Sequence, residues 1–457
     1  MAKPTRKIGD WLGFRQIPDF TKARWLGGLI SVTGSLILIT FVALVFWEFF
    51  LALTGLAGFA DAESQSAAIR NIGLVVAAMI GVPFVIWRTA VAQKQVDTAQ
   101  ESLFNDKINA ASEDLHAMRQ IWKDGENIWE DDIVRRNAAI DRLEGLTNER
   151  PDIAPRISRL LCVYVRELSK VFPAEEAPEG ATRETLRVWV HDLNIIRTDA
   201  EKAVQVLGRL KDVPGVDALE ISINLQEANL QKHNLSDLNF EDANFHGAAM
   251  QGTKMFGANL RSAFFYEARM QGAALQRAEL QKAQLQEAEM AGSFLTGANM
   301  QNASFQMADL HDASMILANV KYADFQFANL QQAKLFSSQM QCTDFSHSKL
   351  QGATLYEACL QGAYFHRTKL DKDTSLEGAQ LRGVAINDVD LSCLEIQQHQ
   401  IDSVFYDGSV TFPSERQRND NWSKIKELWD FDKQLVDWQK SIGFDPDDPT
   451  TWDDPQP

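Results

Sequence analysis

Cysteine and histidine are the residue types of this sequence best suited to metal or redox chemistry, and their spacing supports neither. Cys162, Cys342, Cys359 and Cys393 are far apart and form no CxxC pair, and the eight histidines show no HxxxH or HExxH pattern. Zinc sites need closely spaced ligand pairs, so we expect no metal site and a reducing compartment. No nucleophile–base pair or phosphate-binding loop is recognisable. The sequence therefore predicts a protein that is not an enzyme and holds no cofactor.

The charge balance argues against a nucleic-acid-binding surface. The 457 residues include 62 acidic and 45 basic side chains, which gives a formal net charge of −17. Direct binding to nucleic acid would require a basic patch or stripe. The length is enough for two or three domains.

Two uncharged, apolar runs near the N-terminus predict membrane spans. The first extends from Trp25 to Trp47, and the second lies between Arg70 and Arg88. About 20 residues suffice to cross a bilayer as a helix, and a cleaved signal peptide would start earlier. Basic residues precede the first run: Lys3, Arg6, Lys7, Arg15, Lys22 and Arg24. The positive-inside rule then predicts a multi-pass inner-membrane protein with its N-terminus and the bulk of the chain in the cytoplasm.

The segment that follows the second run favours α-helices up to about residue 220. Apolar residues recur three, four or seven apart, as in Ile157, Leu161 and Tyr164, which is typical of helices with one buried face. Trp122 and Trp129 fall in this segment. We interpret them as core residues packed between helices.

A different period begins near residue 221. Every fifth residue from Leu225 to Leu370 is Leu, Phe, Met or Val, and a small residue lies two positions before nearly all of them. In a helix, steps of five fall about 140° apart, and in a strand they alternate between faces. Neither element would bury this pattern. The chain must instead turn a corner in each repeat and wind into a solenoid with a core of stacked side chains.

The repeats ADLHD, ANVKY, ADFQF and ANLQQ resemble those of the pentapeptide-repeat proteins. The resemblance implies a right-handed quadrilateral β-helix with four five-residue sides per coil over about residues 221–391. The flanking segments look similar to membrane-anchored bacterial members of the family. The stretch DLSCLEIQQHQIDSVFYDGSVTFP is similar to an ending common after such repeats.

The predicted organisation has six parts. We expect a basic cytoplasmic N-terminus (1–24), two transmembrane helices with a short external loop (25–90), an α-helical cytoplasmic domain (91–220), the β-helix (221–391), a C-terminal cap with an amphipathic helix (392–443) and an acidic disordered tail (444–457). The amphipathic helix presents an apolar face formed by Trp422, Ile425, Leu428, Trp429 and Leu435. Capping of the solenoid is the first interpretation of this face, a homodimer contact the second and membrane-surface binding the third.

Six large apolar residues fall at outward positions within two coils. Apolar residues this dense are unusual on the surface of a monomer. We regard them as a candidate contact surface for a protein partner, with coverage by the chain's own C-terminal segment as the alternative. They are Met307, Ile316, Leu317, Tyr322, Phe327 and Phe336.

The sequence predicts a non-enzymatic, membrane-anchored scaffold that presents the β-helix to an unknown protein partner. The alternative is suggested by the resemblance, because some soluble pentapeptide-repeat proteins mimic DNA and bind DNA gyrase. A DNA-mimic modulator of gyrase or of another nucleic-acid enzyme should be strongly acidic, whereas residues 221–391 carry 18 acidic against 13 basic side chains. A third interpretation, a role in envelope or lipid organisation, depends on the predicted spans alone.

Overall fold

The computed structural model describes residues 39–51, 54, 62–123, 126–178, 183–195, 197–416 and 428–452. The chain divides into two compact units, Met1–Asn105 and Asp106–Pro457. In the first unit, residues 39–51 are helical and are followed by α1 (Ala62–Asp114), whose last residues belong to the second unit.

The prediction of two membrane spans is wrong. Among the described residues, no helix is long and apolar enough to cross a membrane. The second predicted span lies within α1, where the uncharged run between Arg70 and Arg88 is shorter than the roughly 20 residues that a bilayer requires. The first predicted span lies outside the described residues up to residue 38. A membrane-anchored fold class, the membrane as a partner and an inner-membrane localisation were all inferred from these runs and are wrong with them.

The second unit begins with a small α/β part. After α1, a hairpin of two strands leads into four helices. These elements are β1 (Met118–Lys123), β2 (Glu126–Asp131), α2 (Ile133–Glu149), α3 (Ala154–Val171), α4 (Arg183–Asp192) and α5 (Thr198–Leu210).

The β1–β2 hairpin departs from the helical prediction for this segment. The strands pair antiparallel, with Met118 opposite Asp131. Trp122 and Trp129 are 71% and 65% exposed, so their interpretation as core residues between helices is wrong. The sequence contains Asp-Gly between the two strands, and this pair is a strong hairpin signal. The prediction of helices gave more weight to the helical periodicity of the neighbouring segments.

A buried ionic network joins the hairpin to the helices. Tyr164 Oη donates a hydrogen bond to Asp199 Oδ2 at 2.6 Å, and Arg197 Nε donates to Asp199 Oδ1 at 2.8 Å. The Arg197 guanidinium also pairs with Asp131, which in turn pairs with Arg136. Burial acts to raise the pKa of Asp199, but the hydrogen bonds from Arg197 and Tyr164 outweigh it and hold that pKa below 3.8. Asp199 is therefore ionised in the folded protein at neutral pH.

The replacement Asp199→Asn should lower the free energy of unfolding by about 3–5 kcal/mol at neutral pH, because it removes the buried carboxylate that bonds Arg197 and Tyr164 and leaves Arg197 only Asp131 as a partner. A carboxyl with a lowered folded-state pKa stabilises the protein above its unfolded-state pKa and loses that effect as the pH falls through the folded-state value. The difference between wild type and variant should therefore shrink below pH 3.8. Chemical unfolding at neutral and acidic pH measures it.

The matched control is Asp152→Asn. Asp152 also pairs with an arginine, Arg150, but its side chain is 62% exposed, and exposed pairs contribute little. We expect a change below about 1 kcal/mol. Equal effects of the two replacements would contradict the assignment of Asp199 as the centre of the network.

The repeats form the predicted solenoid. Parallel bridges link residues twenty apart, from Asn224 with Asn244 to Lys349 with Lys369, so each coil contains four five-residue sides. An extra residue after Leu370 changes the offset to twenty-one, as in the bridge between Thr354 and Ser375. The ladder then continues through three short parallel strands, β3 (Tyr364–His366), β4 (Ala385–Asn387) and β5 (Phe405–Tyr406).

The two inward positions of each repeat form the core. In the stretch AELQKAQLQEAEM, Ala278, Leu280, Ala283 and Leu285 have no exposed surface. Residues twenty apart stack directly: the rings of Phe305 and Phe325 are 4.7 Å apart and those of Phe325 and Phe345 are 5.5 Å apart, both nearly parallel. The core is thus a set of columns along the solenoid axis.

The replacement Phe325→Ala should lower the free energy of unfolding by about 3–5 kcal/mol, because it removes one ring from a buried column and leaves a cavity. Phe327→Ala is the control, since Phe327 is 50% exposed and its ring stacks on that of the neighbouring His347 at 4.6 Å. We expect less than about 1.5 kcal/mol there. Urea unfolding of both variants gives the comparison, and a larger effect for Phe327 would contradict the core assignment.

Helices α3 and α5 cover the first coil of the solenoid. Three backbone N–H groups of this coil have no preceding coil to bond with, and residues of the helical part accept their hydrogen bonds. Asn229 N donates to Ser169 Oγ at 2.8 Å, Asn234 N to Glu201 Oε1 at 2.7 Å and Asn239 N to Gly208 O at 2.9 Å. These bonds satisfy an edge that would otherwise be open to pairing.

The other end of the solenoid continues beyond residue 391. Residues 392–412 add a further partial coil that contains α6 (Gln398–Asp402) and β5, and Asp390 forms a bridge with Thr411. The Gln400 side chain donates to the carbonyl oxygens of Leu376 and Ala379 at 2.9 and 3.0 Å. The helix α7 (Leu428–Ser441) follows.

Candidate protein-interaction surface

Outward side chains of the solenoid come from three positions of each repeat, namely the bridging residue and the two turn residues. The second turn residue adopts a left-handed conformation, with φ of 58° at Met307, 56° at Leu317 and 60° at Phe327. This conformation is unfavourable for residues other than glycine. It is maintained here because the N–H of the same residue bonds to the next coil, as from Met307 N to Gln326 O at 2.9 Å.

One side of the solenoid carries a column of apolar side chains that we call the Leu317 face. It consists of Ile316, Leu317, Phe336 and Tyr356. Ile316, Phe336 and Tyr356 occupy the same turn position in successive coils, and Leu317 lies beside Ile316 in the chain. Leu317 is 60% and Tyr356 39% exposed, whereas Ile316 and Phe336 are half-buried. Three of the six residues predicted to contact a partner belong to this face, and Tyr356 was not predicted.

Two of the other predicted contact residues lie on the opposite side. Met307 and Phe327 are 59% and 50% exposed and occupy one column, two sides of the coil away from Leu317. The next residue in that column is His347, whose ring lies parallel to that of Phe327. The six predicted residues therefore do not form one contiguous surface.

The sixth, Tyr322, contacts the chain's own C-terminal segment. Its hydroxyl donates to Pro446 O at 2.9 Å, and its ring centroid lies 5.8 Å from that of Trp452. The same segment reaches the next coil, where Cys342 Sγ lies 3.6 Å from Pro446 O. Burial, together with the carboxylates of Asp447 and Asp445, raises the pKa of Cys342 to about 12.

Helix α7 lies on the outward side of strands β3, β4 and β5. Phe431 and Leu435 pack with Ala385 and Phe405 in one buried cluster, and the rings of Phe405 and Phe431 are 4.9 Å apart. Polar bonds fix the helix: Tyr364 Oη donates to Asp432 Oδ1 at 2.9 Å and Gln439 Nε2 donates to Gly383 O at 2.9 Å. The helix therefore covers the side of three successive coils.

Three of the five predicted cap residues lie in the described part of the chain. Leu435 is buried against the solenoid, and Leu428 and Trp429 lie in the first turn of α7. Trp422 and Ile425 lie outside the described residues. Sequence reasoning missed Phe431 and Trp438, although their spacing relative to Leu435 is helical and could have indicated them.

After α7, the ring of Phe444 packs directly against two glycines. A Cβ at Gly362 would come within 2.5 Å of the Phe444 ring, and one at Gly383 within 2.9 Å. Both glycines occupy the second turn position of successive coils, so the missing side chains create the slot for the ring. Nothing in the local sequence pattern distinguishes these two glycines from those of other turns.

The polar side chains of these surfaces form hydrogen bonds within the protein. In the part of the chain that the structure describes, no group of three His, Cys, Asp or Glu side chains is arranged to hold a metal ion. Glutamine side chains add polar contacts between coils, since Gln231 Nε2 donates to Gln251 Oε1 at 3.0 Å and to Glu175 O at 2.7 Å. These bonds connect coils and the helical part to each other.

The sequence comparison agrees with this geometry. A family model described as "Pentapeptide repeats (8 copies)" matches five overlapping stretches that together extend over residues 222–372. Residues 222–372 of this chain are therefore pentapeptide repeats. No curated protein matches its sequence.

Solved structures of pentapeptide-repeat proteins align with part of this chain. HetL, involved in heterocyst differentiation regulation in the cyanobacterium Nostoc sp. strain PCC 7120, is 22% identical, with 43% of this chain and 85% of HetL covered and a TM-score of 0.37. QnrB1, a plasmid-mediated fluoroquinolone resistance protein, is 17% identical, with 40% and 88% covered and a TM-score of 0.34.

The contact between the C-terminal segment and the solenoid can be tested through Cys342. The thiolate is the reactive form of cysteine, so the raised pKa and partial burial of Cys342 should make its alkylation slow near pH 8. Phe444→Ala removes the ring that anchors the segment and should accelerate alkylation of Cys342 by at least about tenfold, as its pKa returns towards the ordinary value. Peptide mass spectrometry after timed iodoacetamide treatment measures it.

The exposed Cys393 is the internal control, and its alkylation rate should not change. An unchanged rate at Cys342, or equal acceleration at both cysteines, would contradict a specific contact between the segment and this coil.

Proposed function

We propose that this pentapeptide-repeat protein is a non-enzymatic protein-interaction module that binds a protein partner through the Leu317 face. The observation that carries the proposal is the exposed apolar column on that face, with Leu317 60% exposed. An apolar side chain at such exposure gains about 1.5–3 kcal/mol when a partner buries it fully.

The scaffold favours binding because it is already ordered. Each residue of the face is held by a backbone hydrogen bond to a neighbouring coil. Leu317 N donates to Phe336 O at 3.3 Å, and the carbonyl oxygens of Ile316 and Tyr356 accept from Gly297 N and Ser337 N, both at 2.9 Å. Binding therefore requires little additional ordering of the backbone, which is a large part of the free-energy cost of association. Phe336 and Tyr356 add the aromatic side chains that are enriched at protein interfaces.

A DNA-mimicking modulator of gyrase gains no support from the surface charges. Acidic side chains of the solenoid pair with basic ones, as in Arg261 with Glu279 and Arg367 with Asp388. A mimic of duplex DNA would present a continuous row of negative charge. We therefore retain the protein-interaction module as the single proposal.

The test places a photo-crosslinking amino acid at position 317 of the full-length protein in its native cells and identifies the cross-linked protein. The double variant Leu317→Lys, Phe336→Lys should reduce recovery of that protein at least about tenfold, because two apolar anchors are lost. The fold should tolerate a lysine at position 317, since Lys282 occupies the same turn position with φ of 60°. Unchanged urea unfolding of the variant checks this.

Asn302→Lys is the matched control. Asn302 also occupies a second turn position, with φ of 58°, but lies on a different side, and its replacement should leave recovery unchanged. Equal recovery from the double variant, or equal cross-linking from position 302, would show that the Leu317 face is not the interface.

A further inference from the structure

Helix α4 lies along one corner of the solenoid and packs against glycines there. A Cβ at Gly252 would come within 2.8 Å of Val190 Cγ1, and one at Gly272 within 3.1 Å. These two glycines occupy the same turn position in successive coils, so Val190 fills the space that their missing side chains leave. Lys232 Nζ also donates to His191 O at 3.1 Å. The C-terminal half of α4 is thereby packed against the solenoid.

The space beside the next glycine of the same column, Gly292, is not filled by a side chain of α4. Apart from Gly292 itself and its two neighbours in the chain, no atom of the described residues lies within 4 Å of the position that its Cβ would take. A cavity of about 260 Å³ opens here between α4 and the solenoid. Its walls are mainly apolar and include Leu186, Val190, Gly292, Phe294, Ser314 and Ile316.

The rim of the cavity carries charged side chains from both elements. Arg187 comes from α4, and Lys334, His311 and Asp312 come from the solenoid. His311 Nδ1 lies 2.9 Å from Asp309 Oδ1, and this hydrogen bond raises the pKa of the histidine. Two permanent positive charges, Arg187 and Lys334, therefore line the cavity together with the carboxylate of Asp312, while His311 is paired with the carboxylate of Asp309.

We propose that this cavity binds a small amphipathic carboxylate, whose apolar body occupies the space at Gly292 and whose carboxylate pairs with Arg187 and Lys334. The volume of about 260 Å³ is far above the roughly 10–15 Å³ that a single water molecule requires, so the cavity has room for a small organic ligand. Apolar walls favour an apolar body over trapped water. The guanidinium of Arg187 offers the paired donors that carboxylates accept.

This site is separate from the interaction through Leu317 and Phe336, neither of which lines the cavity. The two proposals can therefore fail independently. Ile316 alone lies on both surfaces and is left unchanged in the experiments.

Octanoate is the probe, with octanol and octylamine as neutral and cationic comparators of the same chain length. Isothermal titration of the full-length protein should show saturable binding of octanoate, at least about fivefold tighter than of either comparator, because only octanoate can pair with the cationic rim. Absence of saturable octanoate binding, or binding of octanol or octylamine with equal or higher affinity, would overturn the proposal.

Two variants locate the site. Ser314→Phe should reduce octanoate affinity at least about tenfold by filling the cavity, and Arg187→Gln about three- to tenfold by removing one rim charge. Lys349→Gln is the control of equal charge change, since the exposed Lys349 does not line the cavity. Circular dichroism verifies that both variants fold. Arg187 lies on the exposed side of a helix, so Arg187→Gln tests the site even if Ser314→Phe does not fold. Unchanged affinity in Arg187→Gln, or an equal loss in Lys349→Gln, would contradict it.

Discussion

Backbone hydrogen bonding between coils twenty residues apart is the interaction on which the rest of this structure depends. Each side of a coil contributes a bridging residue to the ladder, so the chain must return to the same place after every four repeats. This requirement leaves only two inward positions per repeat. It explains why Ala278 and Leu280 are fully buried although their segment has the composition of a helix. Local propensity is outweighed because only the coil aligns the apolar columns.

The same ladder creates a problem at each end, and the flanking segments address it in different ways. At the first coil, helices α3 and α5 accept backbone hydrogen bonds, and Gly208 permits α5 to approach so closely that a Cβ would lie 2.8 Å from Leu238 Cβ. At the other end, the chain adds a partial coil and then returns along the side, where Phe431 and Phe444 fill positions on the outer surface. These contacts determine which sides of the solenoid stay accessible.

The sides of the solenoid that stay accessible are the ones that can bind another molecule. The C-terminal segment covers Tyr322 and Cys342, and α4 covers the corner at Gly252 and Gly272. The Leu317 face stays exposed and suits a protein surface, because its side chains are large, apolar and rigidly placed. The cavity at Gly292 has another character, since enclosed apolar walls and a charged rim suit a small amphipathic molecule. The solenoid thus presents surfaces of different chemistry on neighbouring sides.

The five-residue period was sufficient to predict the solenoid and its inward residues, because a strict period leaves one way to bury the apolar side chains. It misled where the signal was local: the uncharged runs near the N-terminus predicted membrane spans that the described helices do not support, and Trp122 was assigned to a helical core although it lies exposed on a hairpin. The tertiary structure alone decided which outward residues are covered. Tyr322 and Leu317 occupy the same turn position with nearly the same φ, yet only Tyr322 meets Pro446. That contact joins residues 124 positions apart, and no periodic pattern encodes a separation of that kind.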